Sequence, residues 1–136
     1  ASATSTDLIH KLGGKTMDGF YSTMTVQHPY EDSVADTLKP WMAGYRSRFN
    51  EAPTAYSIYG YVILDRRDQT QDKAGAKLDS DSLARAVEGL KTSTDMFGMP
   101  ELSFGPDKHL GSNKARLSQI QDGRWKVVLD YDRTSE

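Results

Sequence analysis

The sequence contains no cysteine. That removes disulfides, thiolate metal sites and cysteine nucleophiles, although it does not decide the compartment. Long hydrophobic runs are also missing; nothing approaches the roughly 18 apolar residues that span a bilayer. Nor is there an excess of charge of one sign: 17 Lys and Arg face 19 Asp and Glu, for a formal net charge of -2. No basic stripe is present to bind nucleic acid and no polybasic cluster to hold a membrane surface. The opening, Ala1-Ser2-Ala3-Thr4-Ser5-Thr6, has no basic stretch followed by an apolar one. A mature or truncated exported protein would read this way, and so would a cytosolic one.

What is present fits a soluble globular chain. Hydrophobic residues make up 37% and charged residues 26% of 136 positions, enough for one core and not for two of ordinary size. Thr4, Ser5 and Thr6 are competent helix caps ahead of Asp7, with Leu8, Ile9 and Leu12 as a short apolar face and Gly13-Gly14 as the stop. Gly19 to Val26 is aromatic, β-branched and hydroxyl-rich, which predicts a strand ended by His28-Pro29. Val34, Leu38, Met42, Tyr45 and Phe49 recur every three or four residues, which predicts a helix. Pro40 either kinks that helix or opens it.

A second helix is expected from Thr54, burying Ala55, Tyr59, Val62 and Ile63. Asp65 to Lys73 then has no apolar member, so that half of the helix should lie in solvent. Ser80 or Asp81 can cap a third helix whose face is Leu83, Ala84, Val87 and Leu90. The end reads as β: a short strand at Leu102 to Phe104, then Lys114 to Ile120 and Trp125 to Leu129 joined around Asp122-Gly123, a strong hairpin signal.

Chemical motifs are few. Gly13-Gly14-Lys15-Thr16 has the tail of a phosphate-binding loop, but Ile9 stands where that pattern needs glycine, and the glycines follow a helix instead of leading into one. His10, His28 and His109 lie far apart with no metal-ligand spacing, and Asp79, Asp81 and Glu88 lack the ligand series of a calcium loop. No Ser-His-Asp or paired-carboxylate arrangement stands out, so an enzyme, a resident metal and a cofactor are not expected. The hydroxyls of Ser5 and Thr6 beside free backbone N–H groups suit a carboxylate, with plain capping as the alternative. Tyr56, Tyr59 and Tyr61 could line a cleft, but the periodicity assigns Tyr59 to packing.

The order of these pieces is informative. A capped helix, the Gly19-Phe20-Tyr21 strand, a helix with Tyr45 and Phe49 and a helix with Tyr59-Gly60-Tyr61 come first. Leu78-Asp79-Ser80-Asp81-Ser82-Leu83, the Phe104-Gly105-Pro106-Asp107-Lys108-His109 loop and the Gln119 to Trp125 closing segment follow. This resembles the C-terminal portion of ABC-transporter substrate-binding proteins of the leucine/isoleucine/valine-binding family, over nearly the whole chain. The resemblance implies an α/β class: a partial type I periplasmic-binding-protein fold that crosses both lobes, with helices plus a C-terminal β-hairpin. Residues 1–18 and 105–131 would be second-lobe-like and 27–95 first-lobe-like, within a single partial domain over 1–136.

It further implies capture of a solute, an amino acid or a related aliphatic or aromatic acid or amide, for an ABC-importer permease in the periplasm. Ser5 and Thr6 would be the primary ligand-binding residues, and Tyr21 and Ser22 a weaker pair near a hinge crossing. Two departures stand out. The parallel strands of both lobes are mostly absent, and Arg66 to Lys73 is polar where the family is apolar. An incomplete cleft would favour association with a second copy or with the missing N-terminal part.

Overall fold

The computed structural model describes residues 6–75 and 79–131. Four helices and one three-stranded antiparallel sheet are found among them. Helix α1 (Asp7–Gly13) is capped by Thr6, whose hydroxyl accepts the Leu8 N–H, and runs into a single 3-10 turn at Gly14–Met17. Strand β1 is Tyr21–Met24, shorter than the predicted segment. Residues 31–38 form turns, and α2 (Lys39–Phe49) begins with Pro40 in its first turn, so the proline opens the helix and does not kink it. Asn50, left-handed at φ 55°, ends it.

Helix α3 (Ala55–Ala74) starts with a reciprocal cap between Thr54 and Ser57. The pair satisfies two backbone donors that no helical carbonyl can reach. The same device, made by Asp79 and Ser82, opens α4 (Ser80–Glu88), one residue before the predicted cap. Strands β2 (Arg116–Gln121) and β3 (Arg124–Leu129) form the expected hairpin. Asp122 and Gly123 both have positive φ, 54° and 68°, as a two-residue turn matching strand twist requires. The hairpin is not alone: β1 pairs with β2, Tyr21 opposite Gln119 and Met24 opposite Arg116. The predicted strand at Leu102 to Phe104 reduces to one bridge, Lys91 to Ser103, because no long neighbour lies alongside it.

The main core gathers Val26, Leu38, Met42, Ala55, Ile58, Val62 and Phe97, with Trp41, Tyr59 and Met99 against it. A smaller core holds Met24, Ile120 and Trp125, with Ile9, Met17 and Tyr30 at its edge. Ser22, Met24 and Val26 are buried at alternate positions, so one extended segment feeds both cores.

Three expectations are corrected here. On α3, Ile58 is buried and Ile63 is 67% exposed, because the buried arc follows Ala55, Ile58 and Val62. On α4, Ala86 and nearby Leu90 are buried, while Leu83 and Ala84 face outward. The polar half of α3 does not lie wholly in solvent. Arg66 Nη2 reaches Asp95 at 3.1 Å, Thr70 is buried and bonds the Arg66 carbonyl, and Lys73 Nζ reaches the Gly89 carbonyl at 3.0 Å. Polar side chains that find partners within α3, at the end of α4 and at Asp95 beyond it replace the missing apolar stripe.

Candidate functional site

A groove runs between α1 and the first turn of α3. Its two sections, of about 450 and 330 Å³, share Asp7, Lys11, His28 and Thr54. Arg124, at the start of β3, and Tyr30 border the larger section; Thr6, Leu8 and Tyr56 border the smaller. The volumes suit a small solute.

Asp7 organises this region. Its Oδ1 accepts the Tyr30 hydroxyl at 2.8 Å and lies 2.9 Å from His10 Nε2 and 3.6 Å from His28 Nε2; Oδ2 lies 3.1 Å from Lys11 Nζ. The helix supplies part of this, since residues at i, i+3 and i+4 share one face, which puts Asp7, His10 and Lys11 together. The turn at His28-Pro29-Tyr30 brings the rest: the His28 ring stacks on Tyr30 with centroids 4.3 Å apart. Tyr30 in turn accepts the Trp125 backbone N–H at 2.9 Å, and the Trp125 indole N–H donates to the Thr6 carbonyl at 3.2 Å. Arg124 lies 5.1 Å over the Tyr30 ring and pairs with Asp32 at 2.6 Å.

The electrostatics follow from burial and neighbours. Burial by itself would raise the Asp7 carboxyl, but the Tyr30 hydroxyl, His28, Lys11 and His10 outweigh it and hold the group below its ordinary value. Burial pushes the His28 imidazole below its ordinary value; Asp7 pulls it back, while His10 and Lys11 push the same way as burial. Burial also raises the Tyr30 hydroxyl, so it stays protonated and keeps donating to Asp7. Among the described residues, no group of three or more His, Cys, Asp or Glu side chains is arranged to hold a metal ion.

Of the predicted ligand-binding residues, Ser5 lies outside the described residues. Thr6 borders the groove, with its hydroxyl engaged in capping α1. Tyr21 is exposed on β1, and Ser22 is buried opposite Ser118 with no hydrogen-bond partner among the described residues. Neither lines the groove. Sequence reasoning passed over Asp7, His10, Lys11, His28 and Tyr30. The i, i+3, i+4 spacing of an acid, a histidine and a lysine was a usable signal on α1, whereas no spacing rule ties it to His28 and Tyr30.

A family model described as periplasmic binding protein matches residues 1–124. No curated protein matches the chain. Among solved structures, the chain is similar to a leucine binding protein, LivK, of Thermotoga maritima, with a TM-score of 0.66 at 16% identity, covering 93% of this chain and 35% of that one. A branched chain amino acid ABC transporter protein of Thermus thermophilus with bound valine gives 0.68 at 13% identity, covering 93% and 36%. A solute binding protein of an ABC transporter from Rhodopseudomonas palustris BisB5, in complex with 3,4-dihydroxy benzoic acid, gives 0.62 at 20%, covering 87% and 31%. The chain thus spans about a third of the length of the solved structures it matches.

Proposed function

This chain belongs to the periplasmic binding protein family, and on that premise we propose that it is part of a solute receptor serving an ABC importer. The solute class is an amino acid or a related small carboxylate or amide, the compartment the periplasm, and the partners a transporter permease and the remainder of a two-lobed receptor. The family is typically non-enzymatic, and capture of this kind requires no bond to be made or broken. It requires a concave wall with a few fixed polar groups, and a ligand that touches both lobes so that closure is favoured.

The observation that carries this reading is the groove itself. One wall, from Thr6 to Lys11 with Arg124, comes from segments read as second-lobe-like, 1–18 and 105–131; the other, from His28 to Asp32 and Ala52 to Tyr56, comes from 27–95, read as first-lobe-like. A trap between lobes needs this provenance. Relatives with valine or 3,4-dihydroxy benzoic acid bound support an acid-bearing solute. Thr6 remains the proposed contact within the groove; Ser5, its neighbour in sequence, is proposed as a ligand residue with it, and Tyr21 and Ser22 as a second pair nearer the hinge.

Calorimetric titration of the receptor carrying this segment, with aliphatic amino acids and small aromatic acids, tests the proposal. Ser5→Ala combined with Thr6→Ala should weaken binding; unchanged affinity would remove those hydroxyls from the site.

A second reading is favoured by a different observation: Leu8, Leu12, Ile63 and Leu64 are all more than half exposed. Apolar surface of that kind invites association. A chain that forms stable dimers by light scattering and ignores every solute would be a self-associating interaction module instead.

A further inference from the structure

We propose that Asp7, His10 and His28 form a proton-operated clasp: with His28 neutral it pins α1 to the 28–30 turn and β3, and proton uptake by His28 releases it. The argument begins with bonding capacity. Asp7 Oδ1 already receives the Tyr30 hydroxyl and His10 Nε2, and Oδ2 receives Lys11. His28 is 8% exposed, and neither of its ring nitrogens has a hydrogen-bond partner among the described residues. A protonated imidazole carries two donors. The Asp7 Oδ1 it faces is 3.6 Å away and already bonded to Tyr30 and His10. A charged His28 would therefore keep unsatisfied buried donors, which cost far more than neutral ones.

Charge counting gives the same answer. From α1, Asp7, His10 and Lys11 face His28; a proton on His28 would set a second cation beside Lys11 on one carboxylate. From its own loop come Tyr30, Glu31 and Asp32, but Glu31 pairs with Arg46 at 2.9 Å and Asp32 with Arg124. Along the cavity on the Phe97 side, Asp95 is paired with Arg66, and Arg116 of β2 is paired with Asp130 at 3.0 Å. The α3 wall contributes Thr54, Ala55 and Tyr56, none of them charged. Among these described groups no unpaired anion is left over. The depressed affinity of His28 for a proton agrees with this geometry.

The consequence for solute capture rests on the receptor reading, because only there do α1 and the 28–30 turn belong to different lobes. The clasp itself does not, and its test uses no solute. Hydrogen exchange of the Trp125 indole N–H, bonded to the Thr6 carbonyl, reports on it by NMR in the whole chain. Protection of that hydrogen should drop several-fold between about pH 7.5 and about pH 5.5, the range in which imidazoles titrate. His28→Asn with His10→Asn should abolish the drop, while His109→Asn should keep it. Protection that stays level in the unaltered chain, or a drop that survives the double substitution, overturns the clasp. If the double variant does not fold, Asp7→Asn decides: lower protection already at neutral pH supports the clasp, and protection equal to the unaltered chain overturns it.

Discussion

The two cores are held together by different forces. The larger one, around Val26, Met42, Ile58, Val62 and Phe97, is apolar throughout, with Trp41 edge-on to Phe97 at 4.9 Å between centroids. Its stability comes from area removed from water, which neither pH nor salt changes much. The smaller one has three buried apolar residues, Met24, Ile120 and Trp125, and beside them a carboxylate, two imidazoles and a tyrosine hydroxyl. That side depends on protonation states and on hydrogen bonds whose loss leaves partners stranded. The larger core belongs to one stretch of chain, 26–97; the smaller must join residues from both ends, Ile9 and Trp125 among them. Where sequence is contiguous, packing suffices, and where distant ends meet, polar bonds fix the geometry.

The largest expected effect strikes the apolar core. Ile58 is 1% exposed, so Ile58→Ala should cost about 3 kcal/mol through lost burial and a cavity. Urea unfolding followed by far-UV circular dichroism measures it. A cost well below 1 kcal/mol would break the comparison, because the core would then not be close-packed.

Acid should have the next effect, and on the polar side alone. The folded His28 value lies below the ordinary 6.5. The unfolded chain therefore takes the proton first, and stability is lost as pH falls from the ordinary imidazole value toward the folded one. Asp7, held below 3.8, acts in the same direction: its contribution is present above that value and disappears as pH falls through the folded one. Near-UV circular dichroism of the tryptophan on the polar side should change on acidification while the α2–α3 helical signal persists. Simultaneous loss of both would mean the two cores unfold as a unit.

The smallest effect belongs to Arg124 and Asp32, which are both exposed despite their close pairing. Asp32→Asn should leave the melting temperature unchanged within error, at low and at high salt. A clear shift would show that the Arg124 guanidinium over Tyr30 needs Asp32 to hold it.

Much of the fold was legible along the chain because its signals are local. Pro40 opening a helix, Thr54 ahead of an amphipathic run and Asp122-Gly123 between two β segments each act within a few residues, through fixed φ, side-chain caps or turn twist. The polar half of α3 was misread for a definite reason. A face that lacks apolar residues looks solvated unless its partners are known, and Asp95 and Gly89 lie far along the chain from Arg66 and Lys73. Ile63 was misassigned because Val62 and Ile63 are adjacent and periodicity alone does not say which of the two points inward. The groove was half legible: Asp7 and Thr6 mark a helix start, but nothing in the order of residues joins them to His28, Tyr30 and Arg124.

What the sequence determined by itself is the run of helices and strands, the turn that closes the hairpin, and the family to which their order points. Each of these depends on backbone propensities and side-chain spacing within about a dozen residues. Only the tertiary structure decided that β1 completes the sheet, that polar residues of α3 reach Gly89 and Asp95 beyond α4, and that Trp125 ties the hairpin to Thr6 and Tyr30. Those outcomes depend on distances through space between segments up to 119 residues apart, and local sequence carries no term for such distances.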